Sequence, residues 1–310
     1  MEKLVPFRKN LCSKYAEKMI SIKLTSKCNG RCSFCVDRGG YTPTTPTTHD
    51  KPNVKEIIDS ANKFADYETV IITGGEPFLF FDELIDILQG LRKTKKRLVV
   101  NTNGSLLTPE KVSSLNGLID ELQISIHHPD ETINNRIFGF TFNKDNCYEP
   151  YVHFEMIKLS IKYAKFNVSI NTCFTKNLSY LHITELEDLV KYLGANKLRL
   201  TELKKVSEDE FVDASDFFQY PDRTKEFCNR TSEELITKGC MTEYFAPNGI
   251  QVSVKKLCKY AKGLNAPAFS CCFINTDGQN KIDVETKDTF KVIYNDGSYY
   301  DDWIFNGLSK

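Results

Sequence analysis

Net charge is what this sequence most plainly lacks: 41 lysines and arginines stand against 41 aspartates and glutamates in 310 residues. A balanced chain has no bulk attraction for nucleic acid or an anionic bilayer, so neither is expected as a partner. Long apolar runs are missing too, and no uncharged stretch approaches the roughly 20 residues that span a membrane. Residues 1–20 carry Lys3, Arg8, Lys9, Lys14 and Lys18 with no apolar core between them, unlike a secretory leader. No internal repeat is evident. The expectation is a cytoplasmic protein with ordinary globular composition, 41% hydrophobic and 26% charged, large enough for one big domain or a big and a small one.

Cysteine, by contrast, is abundant. There are 11, an odd number, and three of them fall within the eight residues 28–35. In a small secreted chain such cysteines suggest disulfides; in an intracellular chain of this size they suggest metal binding or redox chemistry.

From about residue 20 to 203 strand and helix patterns alternate. The candidate strands are 20–25, 69–73, 97–102, 121–127, 167–173 and 197–201. Between them Val54, Ile57, Ile58 and Ala61 share one helical face, with Asn53 as N-cap; Leu84, Ile85, Leu88 and Leu91 share a second; Ile183, Leu186, Val190 and Leu193 share a third. Six such steps argue for a parallel α/β fold. Several strands are apolar on one face only: Leu122, Ile124 and Ile126 alternate with Gln123, Ser125 and His127, and Val168 and Ile170 alternate with Ser169, Asn171 and Cys173. A flat doubly wound sheet buries both faces, and a complete barrel fills its centre with branched apolar side chains. A shared polar inner face therefore predicts a partial (βα)6 barrel with a wet lumen, over residues 16–210.

Two long connections interrupt the rhythm. Residues 39–52, rich in threonine and proline, suit either a lid or a surface insertion; residues 130–150 are the second. After about residue 215 short β-prone runs flank Asn248-Gly249, Asp277-Gly278 and Asp296-Gly297, the last a hairpin signal. Residues 216–310 are expected to form a small, mostly β C-terminal appendage, with Trp303 packing it onto the barrel.

The segment Cys28-Asn-Gly-Arg-Cys32-Ser-Phe-Cys35 follows the first strand, at the strand end where α/β barrels keep their active sites. Thiolates bind soft metals and iron–sulfur clusters. A structural zinc site and an ordinary 4Fe–4S cluster both take four protein ligands. Three leave one position open, or else a distant residue such as His49 or Cys147 completes a zinc site.

The Cys-x3-Cys-x2-Cys spacing with Phe34 before its last member resembles the signature of the radical S-adenosylmethionine (SAM) superfamily, and Gly74-Gly75-Glu76-Pro77 after the second strand resembles that family's GGEP motif. The resemblance covers about residues 16–205. It implies a 4Fe–4S cluster on Cys28, Cys32 and Cys35, with SAM chelating the open iron. It further implies reductive cleavage of SAM to a 5′-deoxyadenosyl radical, which abstracts hydrogen from a peptide, nucleoside or other small-molecule substrate. Glu76 and its glycines would bind the methionine end of SAM. Asn103 lies in a segment like the family's TNG stretch; Ser125, Asn171 and Arg199 match positions that contact ribose and carboxylate. An external one-electron donor such as flavodoxin or ferredoxin is implied as partner. His127 and His128, at the end of the fourth strand, are expected to face the cavity, as SAM contact, proton donor or strand cap. Cys173 is expected to point into the lumen.

Cys240, Cys258, Cys271 and Cys272 loosely resemble the second iron–sulfur site of some members' C-terminal extensions, without their usual Cys-x2-Cys pairing; Cys228 is an alternative member. Buried cysteines also serve as small hydrophobes. The competing functional class is a non-catalytic zinc or iron–sulfur regulatory module, which has no reason to bind SAM.

Overall fold

The computed structural model describes residues 18–35, 51–140, 150–176, 178–201, 236–238, 241–255, 272–276, 282–286 and 290–300. The alternating half runs β1 (Met19–Lys23), α1 (Val54–Asn62), β2 (Thr69–Thr73), α2 (Phe81–Arg92), β3 (Arg97–Thr102), α3 (Pro109–Ser114) and β4 (Glu121–Ser125). It continues through α4 (Glu131–Phe138), α5 (Phe154–Ile161), β5 (Asn167–Cys173), α6 (Tyr180–Leu193) and β6 (Lys197–Thr201). The later strands are β7 (Ile236–Lys238), β8 (Met241–Phe245), β9 (Gln251–Lys255), β10 (Cys272–Thr276), β11 (Ile282–Thr286), β12 (Phe290–Tyr294) and β13 (Tyr299–Tyr300). Thus the expected connection at 130–150 holds a helix, α4, whose first turn is capped by the Asp130 side chain accepting from Ile133 N–H. Residues 36–50, 141–149 and most of the 202–310 connections lie outside the described residues.

Among the described residues one eleven-stranded sheet runs β13-β12-β1-β2-β3-β4-β5-β6-β9-β8-β7, with β10 and β11 paired apart. From β12 to β9 the pairing is parallel throughout. The order ends in two edges, so this is the open, partial barrel that the one-sided strands predict. Of the later strands, β7, β8, β9, β12 and β13 join this sheet. β12 covers the edge of β1 and β9 the edge of β6, so the six-stranded array becomes eight parallel strands. Left bare, those two edges would present unpaired N–H and C=O groups, and β13 and β8 then close the new edges antiparallel.

Alternation along the strands sorts the two faces. Outward, Ile20 and Ile22, Val70 and Ile72, Leu122 and Ile124, and Val252 and Val254 are at most 2% exposed and join one core with the helices. Each such side chain stabilises the fold by about 1.5–3 kcal/mol. From α1 come Ile57 and Ala61; from α2, Leu84, Ile87, Leu88 and Leu91. The Asn53 side chain caps α1 by accepting from Glu56 N–H, as its sequence predicts. Inward lie Ser21, Lys23, Gln123, Ser169 and Ser253, all buried and polar. One part of the inner face is apolar, a small cluster of Val292 and Tyr294 with Met19.

The Asp296-Gly297 turn joins β12 to β13 and docks on α1. Asn295 C=O accepts from Asn53 N–H at 2.7 Å and Gly297 C=O from Ser60 Oγ at 2.6 Å. Gly297 has φ +85°, and a Cβ there would stand 2.5 Å from Glu56 Cβ; Gly249, between β8 and β9, has φ +86° with nothing within 4 Å. The pair separates backbone strain from collision. Gly249→Ala should cost about 1–2 kcal/mol, the left-handed penalty alone. Gly297→Ala should cost about 1–3 kcal/mol more, as overpacking does, read as the difference in urea midpoint between the two variants.

Candidate functional site

The site is assembled where β1, β2 and β3 end. Beyond β1 the chain enters the cysteine loop, and its backbone is zipped to the loop after β2. Leu24 N–H donates to Thr73 C=O at 2.9 Å, Gly75 N–H to Thr25 C=O at 2.7 Å, and Glu76 N–H to Lys27 C=O at 2.8 Å. This approach explains the two glycines. A Cβ on Gly75 would lie 1.9 Å from Lys27 O; one on Gly74, which also has φ +131°, would lie 2.5 Å from Thr25 O. Sequence reasoning gave these glycines to a ligand. The backbone they admit here is that of the cysteine loop.

Glu76 turns inward and is fully buried. Its Oε1 accepts from Phe78 N–H at 3.0 Å and Thr102 Oγ1 at 2.7 Å, and its Oε2 accepts from Asn103 N–H at 2.7 Å. Pro77 opens a short 3₁₀ turn, Pro77–Phe80, that sets this direction. Burial raises the carboxyl above its ordinary range, and the donors from Asn103, Thr102 and Phe78 oppose that rise. Three donors occupy most of the roughly four lone-pair sites of a carboxylate. A direct ammonium contact, the role expected from sequence, has one direction left to it.

Asn103 carries the connection onward to the cysteines. Its Oδ1 accepts from Ser105 N–H at 2.9 Å and Ser105 Oγ at 2.7 Å. Its Nδ2 faces Asn29 Oδ1 at 2.8 Å and Cys28 Sγ at 4.0 Å. Asn29 Nδ2 closes the ring on Ser105 Oγ at 2.9 Å, and Gly30 N–H donates to Cys28 Sγ at 3.3 Å.

The loop's other side rests on α4 and the end of β4. Arg31 N–H donates to Phe138 C=O at 2.6 Å. Phe34 packs edge-on against His127 at 5.0 Å, and His127 lies 5.1 Å from Phe138. His127 and His128 are each 3% exposed, and of the roles expected for them the strand-end cap is the one their hydrogen bonds match. The alternation runs on through Ile126, which joins the outer core and donates its N–H to Asn171 C=O at 3.1 Å. His127 Nδ1 accepts from Cys173 N–H at 3.2 Å, and burial pulls its imidazole down to about 4. His128 Nδ1 accepts from Asp130 N–H at 3.0 Å, and its ring sits 4.4 Å from His182. Both imidazoles brace backbone.

Cys28, Cys32, Cys35 and Cys173 are thiols, each partly buried. Burial first, then Cys35, Cys28 and Cys173, pushes the Cys32 thiol far up; burial and Cys35 push Cys173 up to about 12. Cys173 thus shares the electrostatic neighbourhood of the loop, which spacing alone did not show. Crowded thiols in a dry site do not ionise together unless cationic charge compensates them. Among the described residues no three His, Cys, Asp or Glu side chains converge on one point as a single ion requires. Three thiols spread round one loop suit a centre of several metal atoms, each taking one sulfur, with N–H donors already aimed at Cys28.

Inside the lumen, strand register brings together what the sequence scattered. Ser125 pairs with Asn171, Asn171 with Arg199, and Arg199 with Ser253, a continuous rung across four strands. Ser253 was not anticipated, because its strand was expected in the appendage. Below the rung Glu121 receives Arg97 Nη2 and Ser169 Oγ at 2.6 Å each, Gln123 Nε2 at 3.1 Å, and Arg199 Nη1 at 3.6 Å. Burial pushes the Glu121 carboxyl up, but the Ser169 hydroxyl and the two guanidiniums outweigh it and hold it below the usual range. Asn171 Oδ1 accepts from Thr201 Oγ1 at 3.2 Å. Asn101 Oδ1, also on the inner face, is buried without a hydrogen-bond partner among the described residues. Such an acceptor costs about 1–3 kcal/mol and suits a ligand's donor.

Of the cysteines considered for a second cluster, Cys240, Cys258 and Cys271, with Cys228, lie outside the described residues, and for Cys272 only its backbone place in β10 is described.

Residues 22–165 match the Radical SAM superfamily. YydG of Bacillus subtilis (strain 168), a protein named for peptide biosynthesis, is 27% identical over 173 residues, 54% of this chain and 50% of that protein. GTP 3′,8-cyclase of Aquifex aeolicus is 27% identical over 193 residues, 61% of this chain and 57% of that enzyme. The chain spans about half the length of the curated relatives it matches. Streptococcus suis SuiB, solved with S-adenosylmethionine, superposes with TM-score 0.63 at 17% identity, over 94% of this chain and 62% of that one. SuiB solved with the precursor peptide SuiA gives TM-score 0.63 at 18% identity, over 94% and 61%. At these identities SuiB speaks for the fold.

Two outcomes follow from the loop packing. Gly75→Ala should separate the two loops, lowering stability by more than about 3 kcal/mol and reducing the iron retained after anaerobic reconstitution; a variant that keeps both would contradict the interlock. His127 has its folded-state value depressed from about 6.5 to about 4. Its contribution is therefore complete above pH ~6.5 and is lost as pH falls to ~4, on the order of 3 kcal/mol. His127→Gln should flatten that part of the stability–pH curve measured by urea unfolding.

Proposed function

The chain is a member of the radical SAM superfamily, and on that premise we propose that it is an enzyme that cleaves S-adenosylmethionine reductively and abstracts hydrogen from a peptide. The observation that carries this reading is the interlock of the Cys28–Cys32–Cys35 loop with Gly74-Gly75-Glu76-Pro77 at adjacent strand ends. The three cysteines would hold a 4Fe–4S cluster and leave one iron for SAM. When bound, this pair supplies a 5′-deoxyadenosyl radical, released by one electron entering the sulfonium.

The chain's own residues do the rest. Gly74-Gly75-Glu76-Pro77 would bind the methionine end of SAM, with Glu76 using the one carboxylate direction its three donors leave. Asn101 Oδ1 offers an acceptor to a ligand donor. Ser125 and Asn171, neighbours in one rung, would hold the ribose, and Arg199, steadied by Glu121, would take the carboxylate. The electron comes from an external donor of the flavodoxin or ferredoxin type.

A peptide is favoured as substrate by the name of the YydG relative and by the precursor peptide bound to SuiB on the same fold. The GTP 3′,8-cyclase relative supports a second reading, a purine nucleotide in the same lumen.

The test is anaerobic. Reconstituted with iron and sulfide and given SAM and dithionite, the protein should form 5′-deoxyadenosine, and the Cys28→Ala, Cys32→Ala, Cys35→Ala triple variant should form none. Zinc in place of iron in protein purified without oxygen, with no 5′-deoxyadenosine, would favour the regulatory module instead. Deuterium transfer into 5′-deoxyadenosine from labelled peptide, and not from labelled GTP, separates the two substrate classes.

A further inference from the structure

Resting on the cluster assignment above, we infer that Asn103 sets the reduction potential of that cluster by donating its side-chain amide to the Cys28 sulfur. The amide's orientation is fixed by its neighbours. Ser105 N–H and Ser105 Oγ both lie on Asn103 Oδ1, at 2.9 and 2.7 Å, so that atom is the acceptor and Nδ2 must face the other way. There it meets two acceptors, Asn29 Oδ1 at 2.8 Å and Cys28 Sγ at 4.0 Å.

The backbone under this amide is held just as firmly. Asn103 N–H donates to the buried Glu76 carboxylate at 2.7 Å, and Thr102 beside it donates to the same group. Asn103 is itself only 7% exposed, so water does not compete for its amide. Glu76 and Ser105 are thus positioning residues: one anchors the main chain, the other turns the amide.

The effect on the cluster follows from charge. A donor aimed at a ligating sulfur draws negative charge away from the iron and favours the reduced state, which carries one more electron. Cys28 receives two such donors, the Asn103 amide and Gly30 N–H at 3.3 Å. Once Cys28 is a thiolate the amide contact becomes charge-assisted. Removing it should make the cluster harder to reduce. In Asn103→Asp the acceptor toward Ser105 survives, while the donor toward sulfur is replaced by a carboxylate oxygen.

The experiment is a redox titration of the reconstituted full-length chain, followed by electron paramagnetic resonance without SAM, so that contact between Asn103 and SAM plays no part. Asn103→Asp should disfavour reduction about tenfold, which for one electron is a fall of about 59 mV. Ser105→Ala, which removes one of the two donors on Asn103 Oδ1 and leaves the backbone N–H of residue 105 in place, loosens the amide and should shift the potential less and in the same direction. Iron content is read first. If Asn103→Asp takes up no iron, the decision passes to Ser105→Ala, whose cluster must show the shift or the inference fails. Equal potentials in wild type and both iron-replete variants overturn it. A wild-type chain that shows no iron–sulfur signal refutes the functional reading itself, a separate outcome.

Discussion

The buried carboxylate of Glu76 governs the geometry of the mouth of this sheet, because the ends of β2 and β3 must agree for it to be satisfied while its own backbone holds the loop after β1. A carboxylate removed from water is costly unless every oxygen finds donors. Here the donors come from the turn that Glu76 itself caps and from two consecutive residues at the end of β3. Meanwhile Gly75 and Glu76 N–H bind the cysteine loop. Four consecutive residues therefore work as a hub: Gly74 and Gly75 admit one backbone, Glu76 ties a second, and Pro77 fixes the turn between them. The cysteine loop is held by what surrounds it more than by anything in its own sequence. On its far side Phe34, His127 and Phe138 form an aromatic support, and Arg31 is bound to the end of α4.

The two faces of the sheet divide the labour. The outer face spends its apolar side chains on a continuous core, so the inner face is available for polar rungs. Adding β9 and β12 to the six alternating strands widens that inner face and brings Ser253 beside Arg199. Glu121, below the rung, offsets the charge of both Arg97 and Arg199.

Much of this was legible in the sequence. The alternation of Leu122, Ile124 and Ile126 with polar partners gave both the strand and its two-faced burial, while the three-cysteine loop marked a metal-binding candidate whose chemistry came from the family resemblance. Asn53 and the Asp296-Gly297 turn were equally plain, since each rule there concerns neighbours in the chain. What escaped was non-local. Nothing near Ser253 or Tyr294 in sequence says that β9 and β12 join the main sheet, because both read as ordinary hairpin strands. Alternation set the direction of His127, but its neighbours Phe34 and Phe138 come from distant parts of the chain. The ring of Asn29, Asn103 and Ser105 joins residues more than 70 positions apart, and Cys173 reaches the other thiols only through the register of β5.

The central claim is that Cys28, Cys32 and Cys35 hold an iron–sulfur cluster with one position open to S-adenosylmethionine. Electron paramagnetic resonance of the dithionite-reduced, anaerobically reconstituted protein, recorded with and without SAM, tests it most directly. The account predicts a 4Fe–4S signal whose shape changes when SAM is added, and which the triple alanine variant at those cysteines does not give. A cluster signal indifferent to SAM, or zinc with no signal at all, would contradict it.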